Sequence, residues 1–327
     1  MPRDFDFNDM VRLISPARLA SYHSTFTISN KAELFGLYSW NLEFSGVLSS
    51  LLQLVEVALR NAINEAGKMC IPTHVANQHW FDVIPYHLIE DDRATIEDNA
   101  SKSLIRPNQV RGFSNGIAKA KNNARRLLNK KLGNNTTALP TLDQIISQTD
   151  FSVWEYVLDK SFYDGDVSKG FLWPKGFIYA FKKLPVVTGK NKLFQQRDIL
   201  RRRVETIRML RNRIAHNEPI WKEVGHRNDV QVIEILKRKI DEVIELTYWI
   251  SPSLNAFLRN SALMHRLNVV VSEYEINNAR YRNPIINVED IEMLRSLLNS
   301  QKESNRKVFI SSGGFSAFIQ SKNYRFS

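Results

Sequence analysis

Between Ala32 and Gly67 the apolar residues fall on one face of a helix. Leu34, Leu37, Leu48, Leu51, Leu52, Val55, Leu59 and Ile63 recur at three- and four-residue spacings. A rotation of about 100° per residue gathers them into one stripe. A stripe of that length has to be buried against other helices, so the chain is constrained early towards all-α packing. Ser29 and Asn30 stand in front as caps, Gly67 followed by Pro72 ends the stripe, and Gly46 is expected to split or kink it. The most apolar stretch, Phe44 to Val55, lies between Glu43 and Glu56 and is too short to cross a bilayer.

The same reading predicts helices over Glu90–Ser103, Asn115–Leu132, Gln196–His216 and Val230–Ile250. Another opens at Thr141, with Thr141 or Asp143 as its cap. The aromatic run Phe151, Trp154, Tyr156, Phe162, Tyr163, Phe171, Trp173, Phe177, Tyr179 and Phe181 reads as core between packed helices. Beyond residue 260 the pattern weakens. Leu267–Tyr274 reads as a strand, Val288–Leu298 as a helix capped by Asn287, and Val308–Ser327 as a Gly/Ser-rich tail. The domain expectation is a helical domain over 1–260, with a basic insertion near 99–142, and a C-terminal extension over 261–327.

Charge is segregated along the chain. The formal net charge is +11. Residues 99–142 contain nine basic residues and no acidic one, and residues 167–217 contain thirteen basic against two acidic. The remainder is therefore net acidic. Such blocks cost self-repulsion and mark a polyanion partner, RNA in this reading. Lys119, Lys121, Arg125, Arg126, Lys130 and Lys131, with Arg201, Arg202 and Arg203, are the candidates for RNA-backbone contact, because phosphate contacts position a strand without reading it. A single cysteine, Cys70, rules out an internal disulfide and favours a reducing cytoplasm. No apolar run follows the first residues, so no secretory leader and no membrane association are expected.

The segment Arg211-Asn212-Arg213-Ile214-Ala215-His216-Asn217-Glu218-Pro219 closes the second basic block. On a helix Asn212 and His216 share a face, Arg213 is a neighbour of His216, and Arg211 lies about 140° round. An imidazole can take a proton from a ribose 2′-OH or give one to a leaving oxygen, and a guanidinium can clamp phosphate oxygens. The competing reading is a histidine that merely caps the helix C-terminus. Glu56 and Arg60, at i and i+4 on the apolar helix, are either a support for the motif helix or a structural ion pair. Neither a metal site nor a cofactor is expected. His74 and His79 have no carboxylate at ligand spacing.

RNRIAHNEPI at 211–220 resembles the Arg-x4-His signature of the HEPN superfamily, in the form found in bacterial Abi-like (abortive infection) proteins. SPARLASYHSTF at 15–26, LYSWNLEFSG at 37–46, LLQLVEVALRNAINE at 51–65 and TLDQIISQTDFSVWEYVL at 141–158 resemble that family in the same order. The resemblance implies an all-α, HEPN-like up-and-down helical bundle with extra helices and a small C-terminal extension. It also implies a homodimer with a composite active site and metal-independent RNA cleavage through 2′-OH attack. By position Arg211 would contact phosphate, Asn212 would be the polar residue after it, and His216 the general acid/base; Arg213, Glu56 and Arg60 are supporting candidates on helix spacing rather than by this resemblance. Asn217 stands where many relatives carry a second histidine. A cognate non-coding RNA or antitoxin would be a partner. The rival readings are a non-catalytic RNA-binding scaffold and a phage-sensing interaction protein.

Overall fold

The computed structural model describes residues 6–90, 104–134, 136–221, 228–301 and 307–320. Asp6 caps α1 (Phe7–Ile14). Ser15, at φ 81°, then caps α2 (Pro16–His23), whose leading proline has no N–H to leave unsatisfied. Asn30 accepts the Glu33 N–H at 3.0 Å and opens α3 (Lys31–Cys70). Gly46 does not divide this forty-residue helix. An exposed mid-helix glycine costs about 1 kcal/mol. Buried Phe44, Val47, Leu48 and Leu51 flank it, each contributing roughly 1.5–3 kcal/mol. By length and composition α3 is the one described helix that could cross a membrane, and its leucine stripe is buried inside the protein.

After α4 (Trp80–Val83), β1 (Ile89–Glu90) pairs antiparallel with β2 (Leu104–Ile105). The helix expected over Glu90–Ser103 begins in β1, and its remainder lies outside the described residues. Helix α5 (Asn108–Leu132) starts directly behind Pro107, seven residues ahead of expectation. Thr141 opens α6 (Leu142–Ile146) by a reciprocal cap. Its hydroxyl accepts the Gln144 N–H, and the Gln144 side chain accepts the Thr141 N–H. Helices α7 (Phe151–Tyr156), α8 (Phe177–Ala180), α9 (Lys192–Ala215), α10 (Asp229–Ile250) and α11 (Pro252–Arg259) follow.

The expected strand at Leu267–Tyr274 is instead helical, in α12 (Ala262–Val270) and α13 (Glu273–Ala279). Ser261 and Ser272 accept the N–H groups of Met264 and Glu275, and these caps with burial of Val269 and Val270 override the β-preference of three valines. The next helix, α14 (Ile291–Ser300), starts at an Asp290 cap, because Asn287 is taken into β3 (Ile286–Asn287). Up to Ile319 the expected tail is instead a hairpin of β4 (Val308–Ser312) and β5 (Phe315–Ile319), and its last residues, 321–327, lie outside the described residues. Gly313 and Gly314, at φ 54° and 84°, supply its two-residue turn. These short sheets leave the fold all-α.

The chain packs as two compact units. The first comprises residues up to Leu52, Leu210–Ile244 and Ala256 onwards. The second comprises Gln53–Met209 and Glu245–Asn255. In the first, Trp221 meets Tyr22, Trp40 and Phe26 at ring separations of 5.5, 5.5 and 5.8 Å. Buried Arg280 joins Glu33 of α3 to Asp229 of α10. Burial would push the Glu33 carboxyl up, but hydrogen bonds from Arg282 and the Ser29 N–H, with the charges of Arg282 and Arg280, hold it below its ordinary value. In the second unit, Phe151, Trp154, Phe162, Trp173, Phe177 and Phe181 are buried as the aromatic pattern implies. Tyr156, Tyr163, Phe171 and Tyr179 are only half-buried.

Candidate functional site

Helix α9 ends inside the motif, and the ending is a hydrogen-bonded one. The Asn217 N–H donates to Ile214 O at 2.9 Å and the Glu218 N–H to Arg213 O at 2.8 Å, with Asn217 at φ 52°. This is the Schellman closure, in which the residue after the last turn must take up a left-handed conformation. Asparagine is one of the few non-glycine residues that tolerates it, and histidine is another. The position that departs from the relatives' second histidine is thus a backbone position first. Ile220 and Trp221 follow directly into the core and fix where the turn leads.

Two elements hold the turn from outside. Arg18 of α2 donates from Nη1 to the carbonyls of His216 at 2.6 Å and Asn217 at 3.2 Å. A cation is thereby placed on the negative end of the α9 dipole. Asn217 donates from Nδ2 to the Tyr38 hydroxyl oxygen at 2.6 Å, and Asn41 Nδ2 approaches Asn217 Oδ1 at 3.5 Å. Tyr22 lies beneath, fully buried, with its ring 5.9 Å from that of Tyr38. Burial, then the neighbouring Tyr38, pushes the Tyr22 phenol well above its ordinary range, against the smaller pull of Asn41 and Arg18.

Against this anchored backbone the candidate chemical groups are open. Arg211 and His216 are exposed, Asn212 half-buried, and neither the Arg211 guanidinium nor the His216 ring has a partner among the described residues. A histidine serving as a cap would bond the terminal carbonyls through its ring; here Arg18 occupies those carbonyls instead. Arg213 reaches Glu218 only loosely, at 3.9 Å. Arg211, Asn212, Arg213 and His216 all belong to the first unit.

The remaining candidates belong to the second unit. Glu56 and Arg60 are half-buried on one face of α3, with Arg60 Nε buried and without a hydrogen-bond partner among the described residues. The basic residues divide sharply. Lys119 pairs with Asp150, Lys121 with Asp82, and Arg125 donates to the carbonyls of Thr136 and Ala138. Arg201 pairs with Glu205, Arg202 with Asp198, and Arg203 with Glu245 while lying over the Trp249 ring. Arg126, Lys130 and Lys131 are exposed and have no counter-ion among the described residues. Arg126 and Lys130 line a shallow concavity of about 650 Å³ with Asn122, Asn129 and Asn134. Among the described residues, no group of three histidine, cysteine or acidic side chains is placed to hold a metal ion.

Sequence reasoning missed Arg18, Tyr38 and Asn41. Their signal lies in the family-like segments SPARLASYH and LYSWN, which carry these polar groups. A sequence model of the family described as Abi-like protein matches residues 14–222, which takes in those segments and the whole motif. No curated protein and no solved structure matches the chain.

Proposed function

This chain belongs to the Abi-like protein family, a family of abortive infection and phage defence, and from that premise we propose that it is a metal-independent endoribonuclease of the HEPN type, acting in the cytoplasm. The observation that carries the reading is the division of labour at the end of α9. Arg18 caps the helix, so the exposed His216 ring has no structural task that its geometry reveals.

In the proposed reaction a ribose 2′-oxygen attacks the adjacent phosphorus and the bond to the 5′-oxygen breaks. The products are a 2′,3′-cyclic phosphate end and a 5′-hydroxyl end. One proton leaves the 2′-OH and one is delivered to the departing 5′-oxygen. Both transfers suit imidazole, one as base and one as acid. A homodimer supplies two copies of His216 and lets Arg211 of one chain serve the other despite its angular offset. Arg211 binds the phosphate oxygens that gain charge, and Asn212 orients the ribose or the base. Arg126, Lys130 and Lys131 hold the RNA backbone.

The test is incubation of the purified protein with total RNA in EDTA, followed by mapping of the ends. Cyclic-phosphate ends are expected from the wild type and should vanish in Arg211→Ala and His216→Ala, with RNA retention kept. RNA that is retarded but intact with the wild type favours the non-catalytic scaffold. Unchanged cleavage in either variant removes the assignment.

A further inference from the structure

The Asn217–Tyr38 contact determines where the phenolic proton can go. Asn217 Nδ2 faces the Tyr38 hydroxyl at 2.6 Å, and its Oδ1 lies 3.5 Å from the Asn41 amide nitrogen. Tyr38 Oη is therefore the acceptor, and its own O–H has no acceptor among the described residues. A hydroxyl has one proton to donate and lone pairs to accept with. Tyr38 is only half-buried, so solvent, and with it a ligand, reaches part of its side chain. It is tied to the residue next to His216 through a single short hydrogen bond of 2.6 Å.

The surroundings hold this donor still. The ring leans against buried Tyr22, and the amide that accepts nothing else from α3 than Asn41 belongs to a backbone locked by the Schellman turn and by Arg18. A fixed neutral donor next to the backbone turn that carries His216 is suited to stabilise charge developing on a phosphoryl oxygen held there, because it needs no reorganisation during the reaction.

We propose that Tyr38 is a further catalytic residue, donating its phenolic hydrogen bond to a non-bridging oxygen of the scissile RNA phosphate, with Asn217 as the residue that positions it. The proposal rests on the nuclease reading. Tyr38 transfers no proton; the 2′-oxygen–phosphorus bond forms and the phosphorus–5′-oxygen bond breaks as above.

The experiment is single-turnover cleavage of a labelled RNA oligonucleotide by full-length wild type, Tyr38→Phe, Asn217→Gly, the double variant and His216→Ala. Tyr38→Phe should lower the rate constant by about 10²-fold, as removal of one such donor does. The protein concentration giving half-saturation should stay the same. Asn217→Gly should lose less, and the double variant should be no slower than Tyr38→Phe alone. Sulfur accepts hydrogen bonds poorly, so one phosphorothioate diastereomer should slow the wild type and slow Tyr38→Phe much less, a change that a purely structural tyrosine would not produce. Tyr38→Phe cleaving within about threefold of wild type while His216→Ala is inactive overturns the role of Tyr38 alone. His216→Ala cleaving at the wild-type rate overturns the nuclease reading and Tyr38 with it.

Discussion

Replacing Asn217 by alanine tests the anchoring of the motif in energetic terms. The substitution removes the hydrogen bond to Tyr38, an exchange that typically costs about 1 kcal/mol. It further removes the 3.5 Å contact of the amide of buried Asn41, which adds up to about 1 kcal/mol. It also forces an alanine into φ 52°, at roughly another 1 kcal/mol. The expected loss is about 2–4 kcal/mol. Asn217→Gly loses the same hydrogen bonds but meets no left-handed penalty, so it should be milder by about 1 kcal/mol. Equilibrium urea unfolding gives the ranking, and hydrogen exchange of a peptide spanning residues 210–221 localises it. The Asn217 and Glu218 amides that close the turn should exchange faster by roughly 30-fold or more in the alanine variant, at 1.36 kcal/mol per decade. An alanine variant as stable as wild type, or a glycine variant less stable than alanine, would refute the anchoring.

Two glycines of α3 should respond in opposite directions. A β-carbon at Gly36 would lie 1.8 Å from the Ala279 carbonyl oxygen, so Gly36→Ala should destabilise by about 1–3 kcal/mol, whereas Gly46 faces open space and Gly46→Ala should stabilise by up to about 1 kcal/mol. Urea midpoints decide both, and a neutral Gly36→Ala would contradict the close approach of α13 to α3. For RNA binding, alanine at Arg126, Lys130 and Lys131 together should flatten the slope of log Kd against log salt by about 2, from three contacts at about 0.7 each on single strands. The triple change at Arg201, Arg202 and Arg203, whose charges are already spent on Glu205, Asp198 and Glu245, should flatten it less. The reverse order would move the RNA track to α9.

The sequence by itself determined the helical character, the buried stripe of α3, the aromatic core around Trp154 and Trp173, and the motif from Arg211 to His216. All of these are local. Three- and four-residue spacing and cap residues act within one or two turns, so they are readable without knowing what packs where. It failed at Leu267–Tyr274, where three adjacent valines suggested a strand and two serine caps with burial of Val269 and Val270 made helices. It also failed at Gly46, where burial on both sides outweighed one glycine.

Tertiary structure alone decided which charges are free and what holds His216. Lys119 and Lys130 are equivalent in the sequence, yet one meets Asp150 and the other meets no carboxylate among the described residues. Arg18 and Tyr38 come to the end of α9 across 198 and 179 residues of chain. The physical reason is the same in each case. A charge or a hydroxyl acquires its role from the partner that lies within about 3 Å, and that partner is selected by packing between elements, which no local pattern encodes.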